Sequence, residues 1–377
     1  MSESTHRKKN PSGGCGSEEK LSPVENGKKA FLNKKELVLA SEEELVSFVK
    51  SASEPSYRAK QIYEWVALKR VCDPDKMTNL SVSLREKLKE AFACCTVNVT
   101  ETREAPDGSC KLLLTLADGE SVECAIIVAR DGRNTFCLST QVGCPVRCSF
   151  CASGEHGLVR NLTAGEIIGE YLACCSIIGK SPDNVVIMGI GEPLLNYDNL
   201  VCALEKICDP EGMKLSARRV TISTSGWTPG IRSLAKLGRQ WNLAVSLHAP
   251  DDKTRASLIP GKFRRDIKDI LEACKMHREA TGRLLTFEYV LLKDVNDSKE
   301  FASRLVKVAK EADAKVNLIP YNEANGGFSR PDREKVNAFA AVLERAGIPV
   351  TVRVEKGFEA DAACGQLRSS AEKRRKK

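Results

Sequence analysis

From about residue 135 onward, short apolar runs alternate with longer helical stretches, and this alternation constrains the fold more than any other feature. Runs such as NVVIMGI, RVTIST and NLAVSL are typical of strands, and AGEIIGEYLACC between them is typical of a helix. Strands that alternate with helices form a parallel sheet. Six or seven such units predict an α/β fold, a partial TIM-like (β/α)6 barrel with functional groups at the carboxyl ends of its strands.

Composition divides the 377 residues into five segments. Residues 1–33 are rich in Ser, Gly, Lys and Glu, which predicts a disordered extension. Residues 34–97 carry helical patterns, with Ser41 and Glu44 spaced as a capping box, and predict a small helical accessory domain. Turn signals between apolar runs predict a β-meander linker over 98–133. The barrel then takes 134–357, and 358–377 form a C-terminal segment with a basic tail.

Overall composition is that of a globular protein, with 42% hydrophobic and 29% charged residues. No apolar run approaches the roughly 18 residues that a membrane span needs, and the polar N-terminus is unlike a secretory signal. We therefore expect a cytoplasmic protein that does not enter membranes. The net charge of +8 is concentrated at the ends, since the last ten residues hold six basic residues and one acid. That tail predicts either contacts with phosphates or a solubilising end.

Three of the sixteen cysteines are clustered: Cys144, Cys148 and Cys151 form C-x3-C-x2-C in QVGCPVRCSFC. Three thiolates can hold a 4Fe–4S cluster with one iron open to a substrate or cofactor. A zinc loop with a distant fourth ligand, or chance clustering, would give the same spacing. The position after the first barrel strand favours the iron–sulfur cluster, and Phe150 would add an apolar wall beside it.

The triplet and a second motif together resemble the radical S-adenosylmethionine (SAM) superfamily. The strand after the triplet ends in Gly189-Ile190-Gly191-Glu192-Pro193, which is similar to the glycine-rich motif that binds the amino group of SAM in that superfamily. Glycines let the backbone approach a ligand, and the Glu192 carboxylate suits an ammonium group.

Longer motifs resemble one family within it, the RlmN/Cfr RNA adenosine methyltransferases. These motifs are QVGCPVRCSFCASGEHGLVRNL, MGIGEPLLN, VTISTSGWTPGI, AVSLHAP, NLIPYN and DAACGQL, with YRAKQIYEWV and MTNLSVSLREKL in the helical segment. The resemblance covers residues 35–368. The segment LIPGKFRRDIKDIL departs from it, because it lacks the usual asparagine-containing turn.

The resemblance implies a reaction that proceeds through two further cysteines. Cys364 would take a methyl group from one SAM molecule and carry it to the base after a second SAM is cleaved, so that protein and RNA become covalently joined. Cys137, seven residues before Cys144, would release the product by forming a transient disulfide with Cys364. Glu123 matches the base that removes a proton from the adduct. From the residues alone, Cys137 reads as a buried strand residue and Glu123 as a charge at a strand edge.

The resemblance also implies the cofactors and their contacts. It implies one 4Fe–4S cluster on Cys144, Cys148 and Cys151, and two SAM molecules per turnover. The residues that match the SAM contacts of the family are Gly191, Glu192, Ser223, Ser246, Leu247, His248 and Asn322. Each could instead be a polar strand end that is satisfied locally, but their placement at strand ends on one barrel face favours a shared site.

The implied function is methylation of carbon 2 of an adenosine in 23S-type ribosomal RNA and in transfer RNA, by a monomer that receives electrons from a donor such as flavodoxin or ferredoxin. Two alternatives stay open: a Cfr-like enzyme that methylates carbon 8, and a non-catalytic zinc protein that binds RNA. For RNA binding, the charges Arg58, Lys60, Lys69 and Arg70 surround Tyr63 and Trp65, which could equally be core residues under a solvated face.

Overall fold

The computed structural model describes residues 34–322 and 327–353. The predicted segments 1–33 and 358–377, with Cys364, therefore lie outside the described residues.

Residues 35–93 form a small unit of three helices closed by a two-stranded parallel sheet, in which β1 pairs with β2. Its elements are β1 (Lys35–Glu36), α1 (Glu42–Ser51), α2 (Tyr57–Tyr63) with a π-helical turn at Glu64–Leu68, α3 (Val82–Ala91) and β2 (Phe92–Ala93), with 3-10 turns at Leu37–Leu39 and Pro74–Lys76. The predicted capping box is confirmed. The Ser41 hydroxyl accepts a hydrogen bond from the Glu44 amide at 3.3 Å, and the Glu44 carboxylate accepts one from the Ser41 amide at 2.8 Å.

One ten-stranded sheet forms the centre of the rest of the chain, and its strands lie in the order β14-β13-β12-β11-β10-β9-β6-β5-β4-β3. Their bounds are β3 (Val97–Glu104), β4 (Cys110–Leu116), β5 (Ser121–Val128), β6 (Asn134–Cys137), β9 (Asn184–Ile187), β10 (Val220–Thr224), β11 (Asn242–Ser246), β12 (Leu285–Leu291), β13 (Ala314–Pro320) and β14 (Val350–Val352). Strands β6 and β9 to β14 are parallel, whereas β3 to β6 pair antiparallel.

Helices follow the parallel strands in turn, so six strand–helix units precede the last strand. The helices are α4 (Ala164–Ile178), α5 (Tyr197–Ile207), α6 (Thr228–Leu237), α7 (Asp252–Leu258), α8 (Ile267–Thr281), α9 (Lys299–Ala312) and α10 (Arg333–Arg345). A hairpin of β7 (Gln141–Gly143) and β8 (Leu158–Asn161) leaves the sheet after β6. The predicted α/β fold with a partial barrel is confirmed. In the described part of the chain, no helix has the length and apolar character needed to cross a bilayer.

The two faces of the sheet differ in character. One face packs under the helices and supplies the main core, for example through Leu112, Phe136 and Val185. On the other face, the pairing places Cys137 beside Val186 and Ser246 beside Glu288. The antiparallel strands β3 to β5 continue this sheet through β6, so the meander of residues 97–128 contributes side chains to the same two faces as the barrel.

Glu36 joins the small helical unit to the barrel. Its carboxylate accepts hydrogen bonds from the Gly165 amide at 2.9 Å and from the Thr163 hydroxyl, both at the start of α4. A Cβ on Gly165 would lie 2.3 Å from this carboxylate, so only glycine allows the approach. Burial raises the pKa of Glu36, and the two hydrogen bonds oppose that effect.

We expect Glu36→Ala to lower the free energy of unfolding by about 1–2 kcal/mol, because α4 loses an acceptor at its N-terminus. Urea denaturation measures this change. Glu90→Ala, at an exposed position of the same helical unit, is the matched control and should leave the unfolding midpoint in place. Equal midpoints for the two variants would show that Glu36 does not hold the two parts together.

Candidate functional site

A cavity of about 170 Å³ opens at the carboxyl ends of the parallel strands. Every parallel strand from β9 to β13 contributes lining residues from its end or from the loop that follows. The predicted site residues that line the cavity are Cys144, Cys148, Cys151, Gly191, Glu192, Ser223, Ser246, His248 and Asn322. Residues far apart in the sequence therefore meet at the edge of the sheet where the sequence predicted function.

The three predicted metal ligands lie in the loop that leaves β7, on one side of this cavity. The Cys144 amide donates to the Gly157 carbonyl at 3.0 Å, which holds the start of the loop. The Ser149 amide donates to the Leu258 carbonyl at 3.0 Å, which holds its middle against α7. The thiols pack beside an apolar group that includes Val146 and Phe150.

Burial raises the pKa of Cys144 to about 12 and raises that of Cys148 well above its usual value. For Cys148, the nearby sulfurs of Cys151 and Cys144 add to the effect of burial. Bound metal would remove this penalty, because thiolates are the metal-binding form of cysteine. The donor set therefore fits a 4Fe–4S cluster. Within residues 34–322 and 327–353, no three His, Cys, Asp or Glu side chains are placed to hold a single metal ion.

The glycines of the Gly189–Pro193 motif are required by close packing. Gly191 has a φ of +111°, and a Cβ there would lie 2.7 Å from the Gln141 Cβ. A Cβ on Gly189 would lie 2.7 Å from the Leu138 carbonyl oxygen. The motif thus runs directly against the segment that leads from β6 to the cysteine loop, and no side chain fits between them.

Glu192 is 2% exposed, and its carboxylate is held by backbone amides. Ser225 donates to it at 2.6 Å and Leu194 at 3.1 Å, while the Glu192 amide donates to the Gln141 side chain at 2.8 Å. Burial raises the pKa of Glu192, and the hydrogen bonds oppose that effect. A carboxylate offers about four lone-pair positions, so a fixed carboxylate with two amide donors can still accept from an ammonium group.

His248 presents a neutral imidazole to the cavity. Its Nδ1 accepts a hydrogen bond from the Val290 amide at 3.1 Å, which leaves the proton on Nε2. Burial, with a contribution from Arg255, lowers the pKa of His248 to about 3. Its ring stands edge-on against Phe150, with 4.8 Å between the ring centroids. The predicted apolar wall of Phe150 therefore packs on a predicted cofactor contact.

Arg255 was not predicted, and it is a fully buried cation of α7. Its guanidinium donates to the carbonyl oxygens of Ser225 and, at 3.5 Å, Ser246, which end β10 and β11. It also lies close enough to Cys148 for the two groups to affect each other's pKa. Burial lowers the pKa of Arg255 to about 10, so the side chain stays charged at neutral pH. No sequence pattern predicts its burial, because an arginine on a short helix normally faces solvent.

Two buried side-chain oxygens in the cavity wall have no hydrogen-bond partner among the described residues. They are the Ser225 hydroxyl and the Asn322 amide oxygen. Since a buried polar atom without a partner costs free energy, both indicate a ligand that completes them. This supports the fit of a polar cofactor such as SAM beside the cysteines.

Not every predicted contact lines the cavity. The Leu247 side chain is fully buried in the main core, although its amide donates to the Glu288 carbonyl at 3.0 Å. Conversely, Glu288 and Arg353 do line the cavity, and the sequence did not single them out. Asn317 donates to the Glu288 carboxylate at 2.7 Å, and the strand register puts the two side by side.

Glu123 and Cys137 lie outside the cavity lining, on the sheet face that carries Ser246 and Glu288. This side of the sheet is called the polar face. Cys137 is opposite Ala125, so Glu123, two residues from Ala125, is its diagonal neighbour on the same face. Cys137 packs in a small apolar group with Met188, which itself lines the cavity. Cys137 is therefore one side chain away from the cavity, and Glu123 lies beyond it on the same face.

Both interpretations of the residues predicted to bind RNA, core packing and a charged surface, find support in the helical unit. Tyr63 and Trp65 are half-buried and pack against the core. The Lys69 ammonium lies 3.6 Å from the centroid of the Trp65 ring. Arg58 donates to the Asn79 carbonyl at 2.8 Å. The two aromatic rings thus pack on the core, and Lys69 lies over the Trp65 ring.

Comparison with known proteins gives two family matches. Residues 35–94 match the ribosomal RNA large subunit methyltransferase N-terminal domain, and residues 138–305 match the radical SAM superfamily. A crystal structure of a radical SAM methyltransferase from Sphaerobacter thermophilus superposes with a TM-score of 0.84. That protein is 40% identical to this one, and the match covers 89% of this chain and 99% of the other.

Two curated relatives are both named "Probable dual-specificity RNA methyltransferase RlmN". The one from Akkermansia muciniphila is 43% identical over 87% of this chain and 94% of its own length. The one from Carboxydothermus hydrogenoformans is 44% identical over 87% of this chain and 96% of its own length. At this identity over nearly the full length, the chain belongs to the RlmN family of radical SAM RNA methyltransferases.

Proposed function

We propose that this enzyme methylates carbon 2 of a specific adenosine in large-subunit ribosomal RNA and in transfer RNA. The observation that carries the proposal is the meeting of three thiols, a glycine-bounded carboxylate and two orphaned oxygens at one cavity, with Cys137 and Glu123 on the adjoining sheet face. Members of the radical SAM family use a 4Fe–4S cluster and SAM, and the cavity residues fit both. When bound, the two supply the methyl group and the radical that activates it.

Residues of this chain hold the cluster and SAM and keep water away from them. In the proposal, Cys144, Cys148 and Cys151 hold the cluster and leave one coordination position for SAM. Glu192 takes the SAM amino group, and Ser225 and Asn322 supply polar contacts that the described residues leave open. The packed rings of Phe150 and His248 limit water beside the cluster.

The chemistry on the RNA falls to Cys364, Cys137 and Glu123. Cys364 carries the methyl-derived carbon to the base and so joins protein and RNA covalently. Glu123 removes the proton from the attacked ring carbon, and the Cys137 thiolate then attacks the Cys364 sulfur. The new S–S bond replaces the S–C bond, whose electron pair leaves with the carbon, and that carbon takes up a proton to become the methyl group of the released product. An electron donor such as flavodoxin or ferredoxin, a monomeric state and a cytoplasmic location belong to the same proposal.

Nucleoside mass spectrometry of ribosomal and transfer RNA from cells with and without the gene tests the function. We expect 2-methyladenosine to disappear from both RNA classes when the gene is deleted. Loss of 8-methyladenosine instead would establish the Cfr-like alternative, and unchanged RNA would refute an adenosine methyltransferase.

Cys144→Ala should abolish the cluster, since two thiolates do not hold four irons. The purified, anaerobically reconstituted wild type should contain about four irons per chain and absorb broadly in the visible range. Cys202→Ala, at an exposed position of α5, is the matched control and should keep its iron. Stoichiometric zinc without iron uptake in the wild type would favour the zinc protein, and a full iron load in Cys144→Ala would refute the ligand assignment.

Glu192→Gln should weaken SAM binding by about 1.5–3 kcal/mol, the scale of a hydrogen bond to a charged group. Isothermal titration calorimetry on the reconstituted enzyme measures the affinity, and thermal unfolding without SAM reports any loss of structure. Glu211→Gln, an exposed change, should bind SAM as the wild type does. Wild-type affinity in Glu192→Gln would count against its role.

Cys137→Ala and Cys364→Ala should fail in different ways. Cys364→Ala should form no adduct, because it lacks the carrier sulfur. Cys137→Ala should still form the adduct but cannot complete the thiol exchange that releases it. Denaturing gels should then show a nuclease-sensitive shift for Cys137→Ala alone, with Cys175→Ala, a buried thiol of α4, as control. Identical behaviour of the first two variants would refute the two-cysteine mechanism.

A further inference from the structure

Next to the assigned residues, the polar face of the sheet carries a buried ion pair. The Lys111 ammonium of β4 lies 3.2 Å from the Glu123 carboxylate of β5, and the two side chains are 2% and 3% exposed. Along the sheet, Lys111 is opposite Ala125, and Ala125 is opposite Cys137. Because paired residues point to the same side, Lys111, Glu123 and Cys137 share one face.

Lys111 is an unusual residue for this position. On the opposite face of the same strands, Leu112, Leu114 and Cys124 belong to the main core. A buried ion pair contributes less to stability than well-packed apolar side chains of the same volume often do, because both charges lose their hydration. Stability alone is therefore a weak reason for a lysine at this position, which leaves a role toward its partner Glu123.

A buried carboxylate without a cation is driven to its neutral form, and a neutral carboxylic acid cannot accept a proton. The Glu123 carboxylate has a cation within contact distance in this buried place. Lys111 supplies that charge from the adjacent strand, and its long side chain is itself enclosed by the sheet. The ammonium also limits the directions in which the carboxylate can turn.

Lys111 and Cys137 lie in one row across the sheet, with Ala125 between them. Lys111 and Cys137 stand two strands apart, about 10 Å between backbones, and Ala125 between them has only a methyl side chain. Lys111 and Cys137 therefore flank Ala125, whose side chain is a single methyl group.

We propose that Lys111 is a positioning residue that keeps Glu123 charged and aimed for proton removal from the covalent protein–RNA adduct. In this step, the C–H bond at the attacked ring carbon breaks and its proton passes to the Glu123 carboxylate. The electron pair of that bond restores the π system of the ring once the adduct has given up its unpaired electron to the one-electron acceptor of the proposed function, the 4Fe–4S cluster, and Lys111 keeps its protons. The inference rests on the proposed function, in which Glu123 is the base.

Lys111→Met, which removes the charge at nearly constant volume, tests the inference in the reconstituted full-length enzyme. Methylation of Cys364, measured by mass spectrometry of the protein, should proceed as in the wild type because it precedes adduct formation. Release should slow by about 100-fold, the lower range for a general base, so that the nuclease-sensitive adduct accumulates. With RNA deuterated at carbon 2, the isotope effect on release should rise above that of the wild type, because proton removal becomes rate-limiting.

Lys111→Arg keeps the cation and should restore release to within about tenfold of the wild type. Arg232→Met is the matched control, because it breaks the half-buried ion pair with Asp269, at 2.5 Å, away from Glu123. It should leave both release and the isotope effect unchanged. If Lys111→Met does not fold, Lys111→Gln, which keeps a hydrogen-bond donor without the charge, is tested by the same measurements.

Glu123→Gln separates the two ways of failing. If Glu123→Gln releases product normally, the base assignment in the proposed function is wrong. If Glu123→Gln accumulates the adduct but the neutral Lys111 variant releases product at the wild-type rate with the wild-type isotope effect, the role of Lys111 is refuted. Slow release in both, with recovery in Lys111→Arg, supports the inference.

Discussion

The continuous register of the ten-stranded sheet determines which side chains of this protein can meet. Because side chains alternate along each strand, a fixed register sends one set to the helices and the other to the open side of the barrel. The same pairing runs from Cys137 through Val186 of β9 to the later strands, so polar residues from distant parts of the chain share that side. A one-residue slip in any strand would move its polar set into the apolar core.

The site that results is rich in buried polar and charged groups, and each is held by specific partners. Glu192 is held by backbone amides, and Arg255 by the carbonyl ends of two strands. The imidazole of His248 is fixed in one tautomer. In a low-dielectric site these groups need no reorganisation when a charged ligand arrives, which is the physical basis of their value for binding and catalysis. The orphaned oxygens of Ser225 and Asn322 are the exception, and they face the cavity.

The small helical unit is tied to the barrel by the same kind of contact. Glu36 fills the start of α4, where free amides attract a negative charge. The start of the same helix also binds the cysteine hairpin. The Arg160 guanidinium of β8 donates to Glu166 at 2.8 Å and to Asp118 of the β4–β5 turn at 2.6 Å. The elements that would bind RNA and those that hold the cofactor are therefore joined at the N-terminus of one helix.

The sequence alone determined the α/β class, the cysteine loop, the glycine motif and the family, because these depend on local periodicity and on residues a few positions apart. The capping box at Ser41 was predictable for the same reason. Tertiary structure decided the rest. The burial of Arg255, the core position of Leu247 and the pairing of Lys111 with Glu123 all depend on which strands are neighbours. Register between strands is set by packing over the whole sheet, and no local pattern in the sequence encodes it.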